Sequence, residues 1–213
     1  VIEFGNTHSQ LPNAKQLANS ARRDLIPVYA ASEAPNKAFV YFKPLAEGKT
    51  DENAIKMMRD LGYAYLDTGH YAEGIELYKD LMSRDKGEHW CEYQGQITTA
   101  VQAAYSADKE RIKRELDQQL EIRKQFNGMK VPEKAKLACD NKTAELLSET
   151  AMSWHLEAVG TGGVRGTNSP QTMDLAAYIY KKVADNFTSE DFAKFEFPRI
   201  VKEDWPTIYK IKY

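Results

Sequence analysis

Residues 55–86 read IKMMRDLGYAYLDTGHYAEGIELYKDLMSRDK, and this stretch decides the fold. Leu61, Gly62 and Tyr65 fall on one helical face, because residues three and four apart are neighbours on a helix. Asp67-Thr68-Gly69 then interrupts the pattern, with Gly69 placed to take the left-handed conformation that ends a helix. After Tyr71 a second helix is predicted, carrying Gly74, Tyr78 and Leu81 at spacings of four and three. The unit is a helical hairpin, with small residues where the helices approach and aromatic rings filling the space beside them.

The same spacing returns on both sides. Ala38, Phe42 and Leu45 show it after Asn36, and Ala176, Tyr180 and Val183 show it after Pro170. Ser169-Pro170 supplies a helix start, a hydroxyl cap followed by proline at the first helical position. Each stretch has an apolar helix before it: Leu25 and Tyr29 in the first case, with Pro27 between them, and Leu147, Ala151 and Trp154 in the last. Between these lies a more charged pair. Trp90, Tyr93, Ile97, Val101 and Ala104 form one face, and 108–126 carries Ile112, Leu116, Leu120 and Ile122. Glu110/Arg114 and Arg111/Glu115 lace the outer face of that second helix, as a solvated surface does. Asn127-Gly128 and Pro132 mark the turn that follows. The expected hairpins are therefore 12–48, 51–86, 88–127 and 133–186, with a truncated helix at 204–213 whose Trp205, Ile208 and Ile211 want a neighbour.

Composition narrows the function classes. The 213 residues are 42% hydrophobic and 28% charged, an ordinary balance for a folded chain with a buried core. Lys and Arg number 29 against 31 Asp and Glu, a formal charge of −2. That removes the electrostatic case for a general nucleic-acid or anionic-membrane binder. No apolar run approaches the roughly 20 residues a spanning helix needs, and residues 1–10 lack the basic start and apolar stretch of a signal peptide. A start at Val1 and a stop within a helical pattern point to a fragment of a longer protein.

In its order of small and aromatic positions the chain resembles the tetratricopeptide repeats, helical hairpins of about 34 residues. Leu61-Gly62, Tyr65, Gly74, Tyr78 and Leu81 follow the family's order, with Gly at 74 and Leu at 81 where Ala is usual, and Lys86 in the place of the closing proline. The likeness is closest over 55–86, looser over 19–48 and 144–186, and loosest over 87–129. It implies an all-α fold, a right-handed superhelical stack of antiparallel hairpins whose concave face grips peptides or partner helices without catalysis. Carried onto the best repeat, the family's groove positions are Lys56, Arg59, Tyr63, Leu66 and Asp67; in the next unit they are Gly95, Thr98 and Thr99. Cationic groove residues in the family often clamp a partner's carboxylate, a role open to Lys56 and Arg59. The alternative for each residue is simple solvation of the surface. The runs DLGYAYLDTGHYAEGIELYKDLMSRDKG, HWCEYQGQITTAVQAAYSADK and CDNKTAELLSETAMSWHLEAVGTGG are also similar to the envelope repeat proteins of myxobacterial gliding motility. That resemblance implies a periplasmic or outer-membrane setting within a multiprotein complex; a cytoplasmic setting is the alternative.

Several motifs invite chemistry. Gly160-Thr161-Gly162-Gly163-Val164-Arg165-Gly166-Thr167 is glycine-rich, but a phosphate loop needs a preceding strand and a following Gly-Lys-Ser/Thr. It reads as a flexible connection, with Arg165 a candidate partner contact. His8, His70, His89 and His155 show no i,i+4 pair and no HExxH, so no metal site and no cofactor are expected. A Cys91/His155 nucleophile, or a hydrolase using Glu149 or Glu157 with His155, lacks any sign of an activating arrangement. Asn141-Lys142-Thr143 and Asn186-Phe187-Thr188 fit a glycosylation sequon that is common by chance. Phe187, Phe192, Phe195 and Phe197 read as an anchor for a connecting segment.

Cys91 and Cys139 fall near the starts of first helices in consecutive hairpins. A bridge needs Cα atoms roughly 5.5–6 Å apart; two buried free thiols are the alternative. A bridge would imply an oxidising compartment. The expected function is a non-enzymatic protein-interaction scaffold of a cell-envelope assembly, with a helical-hairpin hydrolase or a structural spacer as the other readings.

Overall fold

The computed structural model describes residues 1–8 and 10–196. Their architecture is all-helical apart from one two-residue β-ladder. The chain divides into two compact units, Val1–Ala104 and Tyr105–Tyr213. The expected 88–127 hairpin crosses that boundary in the chain, while the truncated helix at 204–213 and Phe197 lie outside the described residues.

The first unit runs α1 (Ile2–Thr7), α2 (Ala14–Ser32), α3 (Ala38–Phe42), α4 (Asp51–Asp67), α5 (Tyr71–Arg84) and α6 (Trp90–Ala104), with single 3-10 turns at Pro35–Lys37 and Glu47–Lys49. Its centre is the α4–α5 pair. Thr50 opens α4 by accepting a hydrogen bond from the Asn53 N–H at 3.2 Å, and Asp51 and Glu52 complement the first-turn dipole. At the other end Gly69 takes φ +79°, the Gly69 N–H bonds Leu66 O and the His70 N–H bonds Tyr65 O. These are the two bonds of a Schellman stop.

The hairpin closes on the two glycines that the spacing singles out. A Cβ on Gly62 would lie 2.6 Å from the Tyr78 ring, and one on Gly74 would lie 2.6 Å from Leu66 Cδ2. Leu61, Tyr65, Leu77, Tyr78 and Leu81 fill the buried seam. The Tyr65 hydroxyl donates to Glu33 O at 2.9 Å, tying the end of α2 to α4. α6 lies against α5, its Tyr93 ring 6.1 Å from Tyr78. The partner of α2 departs from a regular hairpin: α3 has five residues, Ala38 and Phe42 are buried, and Ala46 rather than Leu45 completes the apolar face. α2 continues through Pro27.

The second unit contains α7 (Lys109–Asn127), α8 (Glu133–Val159), β1 (Gly160–Thr161), β2 (Val164–Arg165), α9 (Pro170–Asn186) and α10 (Ser189–Lys194). Asp108 and Ser169 cap α7 and α9. The elongated α7 buries Ile112, Leu116, Leu120 and Ile122. On its outer side Arg111 lies over the Tyr105 ring and Lys113 pairs with Asp117 at 3.1 Å. α8 and α9 pack through Leu147, Ala151 and Trp154 on one side and Ala176, Tyr180 and Val183 on the other. With 27 residues α8 is much longer than a repeat helix of the resembled family. Between α8 and α9 the glycine-rich stretch is an ordered hairpin, pairing Gly160 with Arg165 and Thr161 with Val164. Positive φ at both Gly162 and Gly163 makes its two-residue turn.

Candidate functional site

The five expected groove positions share one side of α4, within an arc of roughly 100° at about 100° per residue. Their environments differ. Lys56 is exposed and lines an open cleft of about 720 Å³ against α2. Asp67 is exposed at the C-terminal end, and Leu66 is half-buried with its side chain turned onto Gly74. Arg59 and Tyr63 stand between these ends, the first half-buried and the second 41% exposed.

Tyr63 is held in place. Its hydroxyl donates to the Glu92 carboxylate of α6, whose other oxygen lies 2.8 Å from His89 Nδ1. Partial burial and then the Glu92 hydrogen bond push the Tyr63 phenol up to about 12, so it remains a donor across the neutral range. Behind it Tyr78 and Tyr93 are fully buried, and the Tyr93 hydroxyl donates to Asp85 at 2.6 Å. Burial raises both phenols further. The result is a phenol ring half open to solvent on a fixed mount, beside the Arg59 guanidinium.

The next unit's groove positions are closed. Gly95 and Thr98 are buried, and the Thr98 and Thr99 hydroxyls both bond back to their own helix, to Gln94 O and Gly95 O at 3.0 Å. Of the expected groove positions, the exposed ones, Lys56, Tyr63 and Asp67, are therefore on α4, and Thr99 is half-buried.

Glu92 and the cleft residues of α2 were not legible from the sequence, and His89 figures there only among metal-ligand candidates. One signal was present: Ala14, Ala18, Arg22 and Ile26 form the buried i,i+4 stripe of α2, and an arginine in an apolar stripe marks an unusual site.

The other candidates have structural roles or remain at the surface. Cys91 and Cys139 are both disulfide-bonded, which leaves Cys91 no thiol for nucleophilic chemistry. Glu157 pairs with Lys109 at 2.9 Å and stands roughly 200° around α8 from His155. His155 packs edge-on against Tyr180. His8 stacks on Phe4, and His70 caps the turn with its Nδ1 2.8 Å from the Thr68 hydroxyl. Among the described residues no three His, Cys, Asp or Glu side chains converge on a metal position. Arg165 is exposed at the foot of the β-hairpin. Asn141 is fully engaged within α8, exchanging two hydrogen bonds with the Glu196 backbone. Phe187, Phe192 and Phe195 stack edge to face at 5.5–6.0 Å, fastening α10 to the end of α9.

No family, curated protein or solved structure matches the chain. Among the described residues no helix is long and apolar enough to cross a membrane.

Proposed function

We propose that this chain is a non-enzymatic protein-interaction scaffold, built as a tetratricopeptide-like stack of helical hairpins. A partner peptide or helix would lie along the open side of α4. The observation that carries this reading is the Tyr63 mount: a half-exposed ring, hydroxyl-anchored to Glu92, with Arg59 one turn before it and the Lys56 cleft a turn before that. Aromatic and arginine side chains held rigid before binding are the usual anchors of protein interfaces, since little rotamer freedom is lost when they are covered.

The disulfide supports an extracytoplasmic site of action, because structural bridges are rare where thiols are kept reduced. A bacterial cell-envelope assembly of the gliding-motility kind is the setting that the sequence resemblance favours. The test is selection of extended peptides from a random displayed library on the purified chain. Recovered peptides should bind the Lys56→Ala/Arg59→Ala/Tyr63→Ala variant at least roughly tenfold more weakly, the loss of one modest anchor. Equal binding by a variant with an unaltered melting curve would remove α4 from the interface.

A further inference from the structure

The cleft beside Lys56 has a chemistry of its own. It is lined by four cations, Lys15, Arg22, Arg23 and Lys56, against two acids, Glu47 and Asp60, in a chain whose formal charge is −2. A smaller hollow of about 480 Å³ shares Lys15, Arg22 and Glu47 and extends the space toward α1.

Arg22 is the unusual member. Only 7% of it is exposed, and its guanidinium donates to Leu45 O, Asn19 Oδ1 and Asn6 Oδ1 at 2.8, 2.7 and 2.5 Å. All three acceptors are neutral. A buried cation held by neutral groups keeps a strong field in the space before it, since desolvation weakens screening.

One carboxylate already answers that field. Glu47 accepts from Lys15 Nζ at 2.9 Å, and the Lys15 hydrogen bond and charge, with smaller help from Arg22 and Lys56, hold its carboxyl below the usual range. It is delivered by a turn in which Gly48 and Lys49 both take positive φ, pinned where Asn53 Nδ2 donates to Glu47 O at 2.7 Å. The side chain itself is solvent-exposed, so it can swing away while its backbone stays fixed.

We infer that the α2–α4 cleft is a binding site for an acidic peptide segment, and that Glu47 is a built-in competitor holding the place of one ligand carboxylate. The inference rests on the scaffold reading and names the partner's chemistry. A peptide carboxylate is preferred to other anions because the cleft already holds one, and because its cations are distributed over two helices along an open trough. The trough continues the α4 surface, so a peptide crossing Tyr63 would place acidic residues over Lys56 and Lys15.

The test is fluorescence anisotropy with a labelled Glu-Gly-Ser repeat peptide and its Gln counterpart on the full chain. The Glu peptide should bind, more weakly as salt rises, and the Gln peptide should bind at least roughly fivefold less tightly. Lys15→Gln/Lys56→Gln should lose a similar factor, whereas Glu47→Gln should gain roughly two- to fivefold by removing the competitor. These variants leave Arg22 untouched, and thermal melts confirm that each is folded. Indistinguishable binding of the two peptides, or no gain in Glu47→Gln, overturns the inference. If both peptides bind alike and Tyr63→Ala weakens both, the α4 surface stands and only the acidic preference falls. If neither binds, the cleft proposal fails irrespective of α4, whose own test is the library selection.

Discussion

Gly62 and Tyr78 show how much one contact can carry. The Tyr78 ring occupies the space that a side chain at 62 would need, with its Cζ 2.6 Å and its hydroxyl 2.8 Å from the missing Cβ. That hydroxyl is buried with no hydrogen-bond partner among the described residues. Two opposed effects follow for Gly62→Ala: helix propensity gains up to about 1 kcal/mol, and overpacking costs about 1–3 kcal/mol. The expected net loss is about 1–2 kcal/mol in urea denaturation. Tyr78→Phe removes an unsatisfied group and part of the clash, so it should be neutral or stabilising, and it should recover part of the Gly62→Ala loss. Strictly additive losses in the double variant would mean that the two side chains do not share this space. The pair was legible in the sequence because spacing alone puts Gly62 and Tyr78 on facing sides of one hairpin. Arg22 was not, because its acceptors include a backbone carbonyl, Leu45 O, and a distant side-chain amide, Asn6 Oδ1, and apolar spacing reports neither.

Elements were legible where a local chemical signal marks their ends. Gly69 stops α4, Ser169-Pro170 starts α9, and each lies where the pattern puts it. The β-hairpin was missed although Gly162-Gly163 between Thr161 and Val164 is a two-residue turn signal. Its strands are too short to alternate, and the neck is set by backbone approach: a Cβ at Gly160 or Gly166 would lie 2.2–2.3 Å from a carbonyl oxygen. The short α3 was missed for another reason. Ala38 and Phe42 carry the same spacing as longer helices, and spacing does not record length. The clearest element-scale prediction concerns α10, where Thr188 and Asp191 form a reciprocal capping box. Burial works to raise the Asp191 carboxyl, but hydrogen bonds from the Thr188 N–H and hydroxyl outweigh it and hold the pKa below the usual value. A depressed carboxylate contributes stability above its unfolded pKa of about 4 and loses it as pH falls through the folded value. Thr188→Ala should therefore cost about 1 kcal/mol at neutral pH, and the gap from wild type should narrow in acid below about pH 4. Hydrogen exchange of the α10 amides reports this directly; a gap independent of pH would show that Asp191 contributes nothing through its charge.

At the scale of the molecule, both of the chain's cysteines, Cys91 and Cys139, are disulfide-bonded. Helix spacing made the bridge conceivable, because both cysteines fall early in first helices, but it left free thiols equally open: a sequence gives no distance between residues so far apart. The energetic consequence is large beside the 5–15 kcal/mol of a typical fold. Closing the loop between positions 91 and 139 restricts the unfolded chain, and on a chain-entropy reckoning this stabilises by about 4 kcal/mol. Cys91→Ser/Cys139→Ser should lose most of that in urea denaturation, and reduction of the wild type should reach the same curve. Each single variant should match the double, since one cysteine cannot bridge. Reductant that leaves the wild-type midpoint in place would show the linkage to be energetically idle. The proposed extracytoplasmic setting is tested on the same bond. Non-reducing peptide mapping of protein from its native host should recover the 91–139 linked peptide. Free thiols there would mean that the protein works reduced and with a lower stability, and the search for acidic partners would turn from the envelope to the cytosol.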